Sequence, residues 1–426
     1  MRNIGKTTMP ETCHSERSEE SFQQVKYFLY DRTRPVEKES VLWQMPLPMK
    51  PSGICRDAGI CRDAGICRDA GICRDAQPCV STTHGEYFCA VQKFWEKTGH
   101  VETHGRASLP ISDINIFLEK HGEFYHPARI ELIENGEKIS FAVNVAVSDT
   151  GKAGIRGEYD ILKQLNRDFP EYSFLPRVYE YGEILIGNGA EIPMFLGEWF
   201  DGYHEFHLSY HPYERKNRIV VWDTEKGNFF LSSEQACEIY AQAAMILTCY
   251  YDVETFAQIY PWHHAAGDFI VKVRDDAAAI KTGDVKLITV RHYRQQADEA
   301  EKPDAYTVLD ALLVFFLNLS IRMRLDRLDG VGEMAWADDI AVSGTVAGFF
   351  RGLAMKAPVA VLPAPLDLCF QYYFLQRTEA ELAELAEAIM NAYSPDSAEF
   401  PVIRKHLKAH TDELYRAVIF ELRIEK

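Results

Sequence analysis

The first regular pattern of apolar residues begins near residue 128 and has the period of a β-strand. Apolar side chains alternate with polar ones on both sides of Asn135-Gly136, at Ile130, Leu132, Ile139, Phe141, Val143, Val145 and Val147. Asn and Gly both tolerate positive φ, so this dipeptide suits a tight turn between antiparallel strands. The pattern therefore predicts a β-hairpin.

A helical pattern follows the hairpin, and two strand-like runs follow the helix. Tyr159, Leu162 and Leu165 recur at a spacing that places them on one helix face, which predicts a helix over 154–167. The runs at 177–181 and 194–200 have the length and composition of short strands. The order strand, strand, helix, strand, strand predicts a small antiparallel sheet with one packed helix over residues 100–200.

The chain becomes mainly helical after residue 202. Ser232-x-x-Gln235 and Thr378-x-x-Glu381 are capping boxes that precede segments with helical apolar spacing. Two strand-like runs at 269–273 and 285–290 interrupt this region. The sequence therefore predicts an α+β protein, with a helical domain over 203–426 that contains one short hairpin.

The first 95 residues have a different composition. Seven of the ten cysteines lie before residue 90, and Gly-Ile-Cys-Arg-Asp-Ala is repeated four times over 53–76. A hexapeptide β-helix and a zinc site are two interpretations, but one apolar residue per repeat buries little, and a six-residue spacing is unusual for zinc ligands. We interpret the repeat as translated repetitive DNA. Residues 1–95 are accordingly predicted to be disordered, and deletion of residues 1–90 is predicted to leave thermal stability unchanged.

Charge and hydropathy restrict the partners and the location. The formal net charge of −17 disfavours nucleic acid and anionic membranes as main partners, because both would repel the protein. No secretory signal is recognisable, and no uncharged apolar run reaches the length of a membrane span. The three cysteines after residue 95 are scattered, which favours a reducing cytoplasm.

Candidate chemistry lies in four short segments. They are Phe141-Ala142-Val143-Asn144 with the helix residue Glu158, Gly197-Glu198-Trp199-Phe200-Asp201-Gly202, Trp262-His263-His264-Ala265-Ala266-Gly267-Asp268-Phe269, and Asp284-Val285-Lys286-Leu287-Ile288-Thr289-Val290-Arg291. With the element order over 128–330, these segments resemble the protein-kinase-like superfamily, particularly bacterial aminoglycoside, sugar and lipopolysaccharide kinases. The resemblance implies a two-lobed fold, with an antiparallel-sheet N-lobe and a mainly helical C-lobe.

The resemblance also implies catalytic roles. Asp268, with His264 beside it, corresponds to the aspartate that accepts or orients the proton of the substrate hydroxyl. Glu158 corresponds to the helix glutamate that holds a phosphate-binding lysine on the preceding strand. Asn144 stands at the position of that lysine and carries no charge.

Further residues correspond to nucleotide and metal sites. Glu198 lies in the connector whose backbone would meet the adenine. Thr289 stands where these kinases have a metal-binding aspartate, and Asp284 is a displaced substitute for it. The implied cofactors are ATP and Mg²⁺, and the implied substrate is a small molecule or sugar.

Three hypotheses remain open at the level of sequence. The first is an atypical kinase in which Asp268 is the base. The second is a catalytically inactive, pseudokinase-like binding module that has a small-molecule ligand or a protein partner. The third is a metal-dependent hydrolase that uses His263, His264 and Asp268, although adjacent histidines point in different directions.

Overall fold

The structure is a computed structural model of a mixed α+β protein with mainly antiparallel sheets. It describes residues 24–29, 33–48, 82–98, 113–122, 124–134, 136–187, 189–224, 226–263, 267–274, 280–281, 283–294 and 303–424. Its apolar side chains form two large buried clusters, one against the N-terminal sheet and one among the helices that follow. The predicted α+β class is confirmed.

Six strands form the N-terminal sheet. They are β1 (Gln24–Leu29), β2 (Asp113–Leu118), β3 (Ala128–Glu134), β4 (Glu137–Val145), β5 (Val178–Leu185) and β6 (Glu191–Glu198), in the spatial order β1-β2-β3-β4-β6-β5. All neighbours are antiparallel except β1 and β2, which are parallel. The predicted hairpin is β3–β4, and Gly136 at its turn has a φ of +83°. Alternation places Ile130, Val143 and Val145 on one buried face.

Three helices among the described residues accompany this sheet. They are α1 (Val41–Gln44), α2 (His84–Thr98) and α3 (Asp149–Asp168). α3 is the helix predicted over 154–167, and it begins five residues earlier because the Ser148 side chain accepts a hydrogen bond from the Gly151 N–H. Ile155, Leu162 and Leu165 on α3 are buried against the second cluster. α3 therefore joins the sheet to the helical region.

The N-terminal segments β1, α1 and α2 belong to this fold, so the prediction that residues 1–95 lie outside it does not hold for them. Tyr27 on β1 is 2% exposed, and Phe88 and Phe94 on α2 are completely buried. These side chains pack with Trp43 and the apolar face of the sheet. The sequence prediction extended the unusual composition of the repeat to flanking segments that have ordinary amphipathic patterns. The repeat at 53–76 lies outside the described residues.

A second sheet of five strands follows the connector. Its strands are β7 (His204–His211), β8 (Lys216–Trp222), β9 (Phe229–Phe230), β11 (Phe269–Val271) and β12 (Val285–Leu287), in the order β12-β11-β7-β8-β9. β11 and β12 are the predicted hairpin. The β7–β8 hairpin was not predicted, and it extends the sheet because β7 pairs with β11. Two small antiparallel pairs are also present: β10 (Gln258–Ile259) with β13 (Tyr293–Arg294), and β14 (Leu325–Arg327) with β15 (Met334–Trp336).

In the described part of the chain after residue 226, six further helices surround the second buried cluster. They are α4 (Ser233–Cys249), α5 (Ala305–Arg322), α6 (Ile340–Ala354), α7 (Leu366–Leu375), α8 (Glu379–Asn391) and α9 (Phe400–Ile424). Both predicted capping boxes are formed, at the starts of α4 and α8. α4 and α6 approach closely at glycines; a Cβ on Gly348 would lie 1.9 Å from the Ala241 carbonyl oxygen. Among the described helices, α5 is apolar and long enough to cross a bilayer, but most of it is buried in the protein, as in the core helix of a soluble protein.

Candidate functional site

Asp268 lies directly before β11 and is 1% exposed. Its two carboxylate oxygens accept hydrogen bonds from both terminal nitrogens of Arg291, at 2.8 and 2.9 Å. The backbone N–H of His263 donates a further bond to Oδ2 at 2.9 Å. A bidentate guanidinium–carboxylate pair is among the strongest hydrogen-bonded contacts in proteins. Asp268 is therefore held in one orientation by groups of the chain itself.

Glu158 on α3 reaches the same place from the other side. Its Oε1 atom accepts a hydrogen bond from the backbone N–H of Val290 at 3.0 Å. The pKa of Glu158 is raised, because burial outweighs the opposing effects of the Arg291 charge and the Tyr125 hydroxyl. We call Glu158, Asp268, Val290 and Arg291 the Arg291 cluster.

Arg291 is the cation at the centre of this cluster. Burial by itself lowers the pKa of its guanidinium, but the carboxylates of Asp268 and Glu158 raise it by more. The Phe124 ring lies 5.4 Å from the guanidinium carbon, in the range of a cation–π contact. Arg291 is therefore positively charged throughout the ordinary pH range.

The loop between β2 and β3 closes over the cluster. Phe124 contacts Arg291, and Tyr125 lies beside Glu158. Lys120 in the same loop forms an ion pair with Glu205 on β7. Burial by itself would raise the pKa of Glu205. The interactions with His207 and Lys120 outweigh burial and lower that pKa to about 2. The loop therefore links the N-terminal sheet to the second sheet through charged and aromatic contacts.

The structure brings some of the sequence-predicted residues together. The N–H of Ile288 donates to the Asp268 carbonyl at 2.7 Å, and the N–H of Val290 donates to Glu158. Thr289 lies between these two residues and is part of the same segment. Hydrogen bonds to Ile288 and Val290 therefore connect the segment that contains Thr289 to both Asp268 and Glu158.

Other predicted residues lie elsewhere. Asp284 is at the opposite end of the β11–β12 hairpin, where Arg274 donates to its oxygens at 2.8 and 3.2 Å. Asn144 faces Phe195 in the register of β4 with β6. Glu198 ends β6 and accepts a bond from the Arg177 N–H at 3.2 Å.

The predicted catalytic residue His264 lies outside the described residues. The neighbouring His263 is described, and its Nδ1 atom is 3.9 Å from Glu399 Oε1. The side chain of His263 therefore contacts the α9 region, whereas Asp268 contacts Arg291. Within the described part of the chain, no group of three or more His, Cys, Asp or Glu residues is arranged to hold a metal ion.

Asp268 and Glu158 are the carboxylates nearest to the position of the Mg²⁺ that the resemblance implies. Mg²⁺ requires carboxylate, phosphate or water oxygens in near-octahedral geometry. Both oxygens of Asp268 already bind the Arg291 guanidinium. The residues present do not fit a metal ion next to Asp268, because a positive charge of the chain occupies that position.

Sequence reasoning missed Arg291, Lys120 and Glu205. Arg291 was visible as a charge three residues after the apolar pair Leu287-Ile288, directly after a predicted strand. A buried strand that ends in a charged residue indicates a nearby counter-ion. Lys120 and Glu205 carried no such signal, since each lies in a polar segment.

Comparison with known proteins adds no relative to this description. A scan against protein-family models finds no match, and a search of the curated proteins finds none either. The functional interpretation of the Arg291 cluster rests on its geometry.

Proposed function

We propose that this protein is a kinase-like binding module that does not transfer phosphoryl groups. The observation that carries the proposal is the bidentate ion pair between Asp268 and Arg291. A general base needs a carboxylate oxygen within hydrogen-bond reach of the substrate proton. In this protein a guanidinium holds both oxygens and the side chain is buried.

The strand order supports the kinase-like part of the proposal. In protein kinases the lysine strand is followed by the helix that carries the glutamate partner. Here β4, which carries Asn144, is followed by α3, which carries Glu158. Beyond β12, the Ile288 N–H bonds the Asp268 carbonyl and the Val290 N–H bonds the Glu158 side chain, which supports a kinase-like arrangement of these segments.

The residue types at these positions support the inactive alternative. Asn144 and Thr289 are uncharged where a kinase has a lysine for the phosphates and an aspartate for the metal. Glu158 has no lysine to hold and bonds the Val290 N–H in its place. The framework of the site is retained while its phosphate and metal ligands are replaced. A small molecule, a sugar or a protein partner remains the proposed ligand, and a cytoplasmic location remains a prediction.

The test is an assay of the full-length protein for ATP·Mg²⁺ hydrolysis and for transfer to a panel of sugars and amino sugars. Asp268→Asn and Glu131→Gln are assayed beside the wild type. Glu131 on β3 is the matched control, because it is also a buried carboxylate paired with an arginine, Arg129 at 3.1 Å, but lies outside the Arg291 cluster.

We expect no turnover above background in any of the three proteins. Turnover by the wild type that Asp268→Asn abolishes and Glu131→Gln retains would overturn the proposal and favour the atypical kinase. Binding is measured separately by thermal shift with the same panel without nucleotide, where a saturable rise in Tm would identify a ligand.

A further inference from the structure

We propose that the cavity between the C-terminal end of α3 and the loop before β10 binds a small organic diamine, in which a short apolar chain joins two ammonium groups. The cavity has a volume of about 800 Å³, which is within the range of small-molecule sites. No residue of the Arg291 cluster is among its described lining residues. The inference therefore goes beyond the proposed function and does not depend on it.

The charged groups that line the cavity are carboxylates. Asp168 ends α3, and Asp252 lies in the loop between α4 and β10, whereas none of the described lining residues is basic. Arg167 donates to Asp168 Oδ1 at 2.8 Å, but the Arg167 side chain is 74% exposed, so water screens this pair. Lys356 interacts electrostatically with Asp252, but its ammonium donates to two backbone carbonyls, at 3.0 and 2.6 Å. The lining thus carries two formal negative charges, which favour a ligand with two positive charges.

Backbone hydrogen bonds hold Asp252 in one orientation. Its Oδ1 atom accepts bonds from the N–H groups of Glu254 and Thr255, at 2.8 and 3.0 Å. The Asp252 N–H donates to the Ala257 carbonyl at 2.8 Å, which closes the loop. Among the described residues, the hydrogen bonds to this carboxylate go to Oδ1. The other oxygen, Oδ2, is the atom that would accept a bond from an ammonium group.

The Tyr293 hydroxyl is a further polar group of a lining residue. Tyr293 lies on β13, which pairs with β10 directly after the Asp252 loop. Its hydroxyl oxygen is buried and has no hydrogen-bond partner among the described residues. Burial raises the pKa of Tyr293 most, followed by the charges of Asp252 and Asp168, so both carboxylates act on this hydroxyl. A buried hydroxyl without a partner is costly and commonly marks a functional position, and an ammonium group has three donors to offer.

Aromatic rings supply the apolar part of the lining. Phe169 directly follows α3, and its ring stacks on Tyr172 at 6.1 Å and meets the edge of Tyr250 at 5.4 Å, so its position is fixed. The Tyr293 ring is a second aromatic wall. Aromatic faces attract cations and also pack against methylene groups. A short apolar chain with an ammonium group at each end therefore matches the two carboxylates, the hydroxyl and the two rings.

The experiment compares three ligands of one length by calorimetry on the full-length protein. They are putrescine, which is butane with an amino group at each end, butylamine with one amino group, and butanediol with none. The variants are Asp168→Asn, Asp252→Asn and the double variant. Asp160→Asn is the matched control, because Asp160 is also a surface carboxylate of α3 paired with an arginine, Arg156 at 3.1 Å, but does not line the cavity. Asparagine at position 252 keeps the Oδ1 acceptor of the loop.

We expect putrescine to bind the wild type and Asp160→Asn at one site with equal affinity. Asp168→Asn and Asp252→Asn should each weaken binding about fivefold to tenfold, because each removes one charge-assisted contact, and the double variant should abolish it. Butylamine should bind more weakly than putrescine, and butanediol should not bind.

Three results would overturn the inference. The first is a folded wild type that shows no saturable putrescine binding. The second is equal affinity in Asp168→Asn, Asp252→Asn and Asp160→Asn, which would indicate attraction to the acidic protein as a whole. The third is binding of butylamine or butanediol as tight as that of putrescine. If Asp252→Asn does not fold, Asp168→Asn decides alone, because the Asp168 side chain is 38% exposed and its substitution leaves the core intact.

Discussion

Substitution of Tyr27 tests directly whether the first segments of the chain belong to the folded protein. Tyr27 lies on β1 and is 2% exposed. Its ring packs edge-on against Trp43 at 5.0 Å and beside Phe88 at 5.2 Å, and its hydroxyl donates to Gln92. Burial, followed by the nearby Cys89, raises its pKa to about 12, so the hydroxyl stays protonated at neutral pH.

Tyr27→Ala would remove this ring from the centre of the N-terminal core. Replacing a fully buried aromatic side chain with alanine typically costs about 3–5 kcal/mol in free energy of unfolding. That cost is a large fraction of the total stability of a domain, which is of the order of 5–15 kcal/mol. If residues 1–95 were disordered, the same substitution would cost nothing.

The assay is urea unfolding of the full-length chain, followed by far-ultraviolet circular dichroism and by tryptophan fluorescence. Val41→Ala is the matched control, because Val41 lies in the same N-terminal region but is 81% exposed. We expect a clear fall in the unfolding midpoint for Tyr27→Ala and a change within about 0.5 kcal/mol for Val41→Ala. Equal midpoints for Tyr27→Ala and the wild type would refute the assignment of β1 to the core.

Two other predictions concern buried groups with defined surroundings. Burial raises the pKa of Asp326 to about 8, although the Leu208 N–H donates a hydrogen bond to its carboxyl group. The contribution of Asp326 to the free energy of unfolding is therefore complete at low pH and is lost as pH rises towards 8. The free energy of unfolding, measured between pH 5 and 8, should fall by up to about 1.4 kcal/mol per pH unit in the wild type and by less in Asp326→Asn. Identical pH profiles of the two proteins would contradict this prediction. Gly151→Ala should destabilise by about 1–3 kcal/mol, because the new Cβ would clash with the Phe124 carbonyl. Gly157→Ala on the exposed side of the same helix should stabilise by about 0.5–1 kcal/mol, and equal effects of the two substitutions would count against the packing of that loop.

Local patterns in the sequence predicted several elements correctly. The β3–β4 hairpin followed from period-two alternation around Asn135-Gly136, and α3 followed from the spacing of its apolar face. The capping boxes at Ser232 and Thr378 marked the starts of two helices. These features depend on residues within a few positions of each other, so the sequence contains the information needed to recognise them.

Pairings between distant segments needed the tertiary structure. β1 pairs with β2 across more than 80 residues of chain, and the intervening repeat obscured the ordinary pattern of both flanks. The β7–β8 hairpin joins β11 in one sheet, which single-strand patterns do not specify. Such pairings depend on which surfaces meet after the chain has collapsed, because strand neighbours are chosen by packing as well as by local preference.

The same distinction applies to the site. The sequence alone determined the residue types, carboxylates at Asp268 and Glu158 and uncharged side chains at Asn144 and Thr289, whereas their kinase-like roles stay predictions. Only the tertiary structure decided that Arg291 would neutralise Asp268, and that Phe124 would cover the pair. Residue type is a property of each position, whereas a charge pair requires two side chains to be buried at one point by separate elements. The chemistry of this site therefore depends on a contact that spacing along the chain does not reveal.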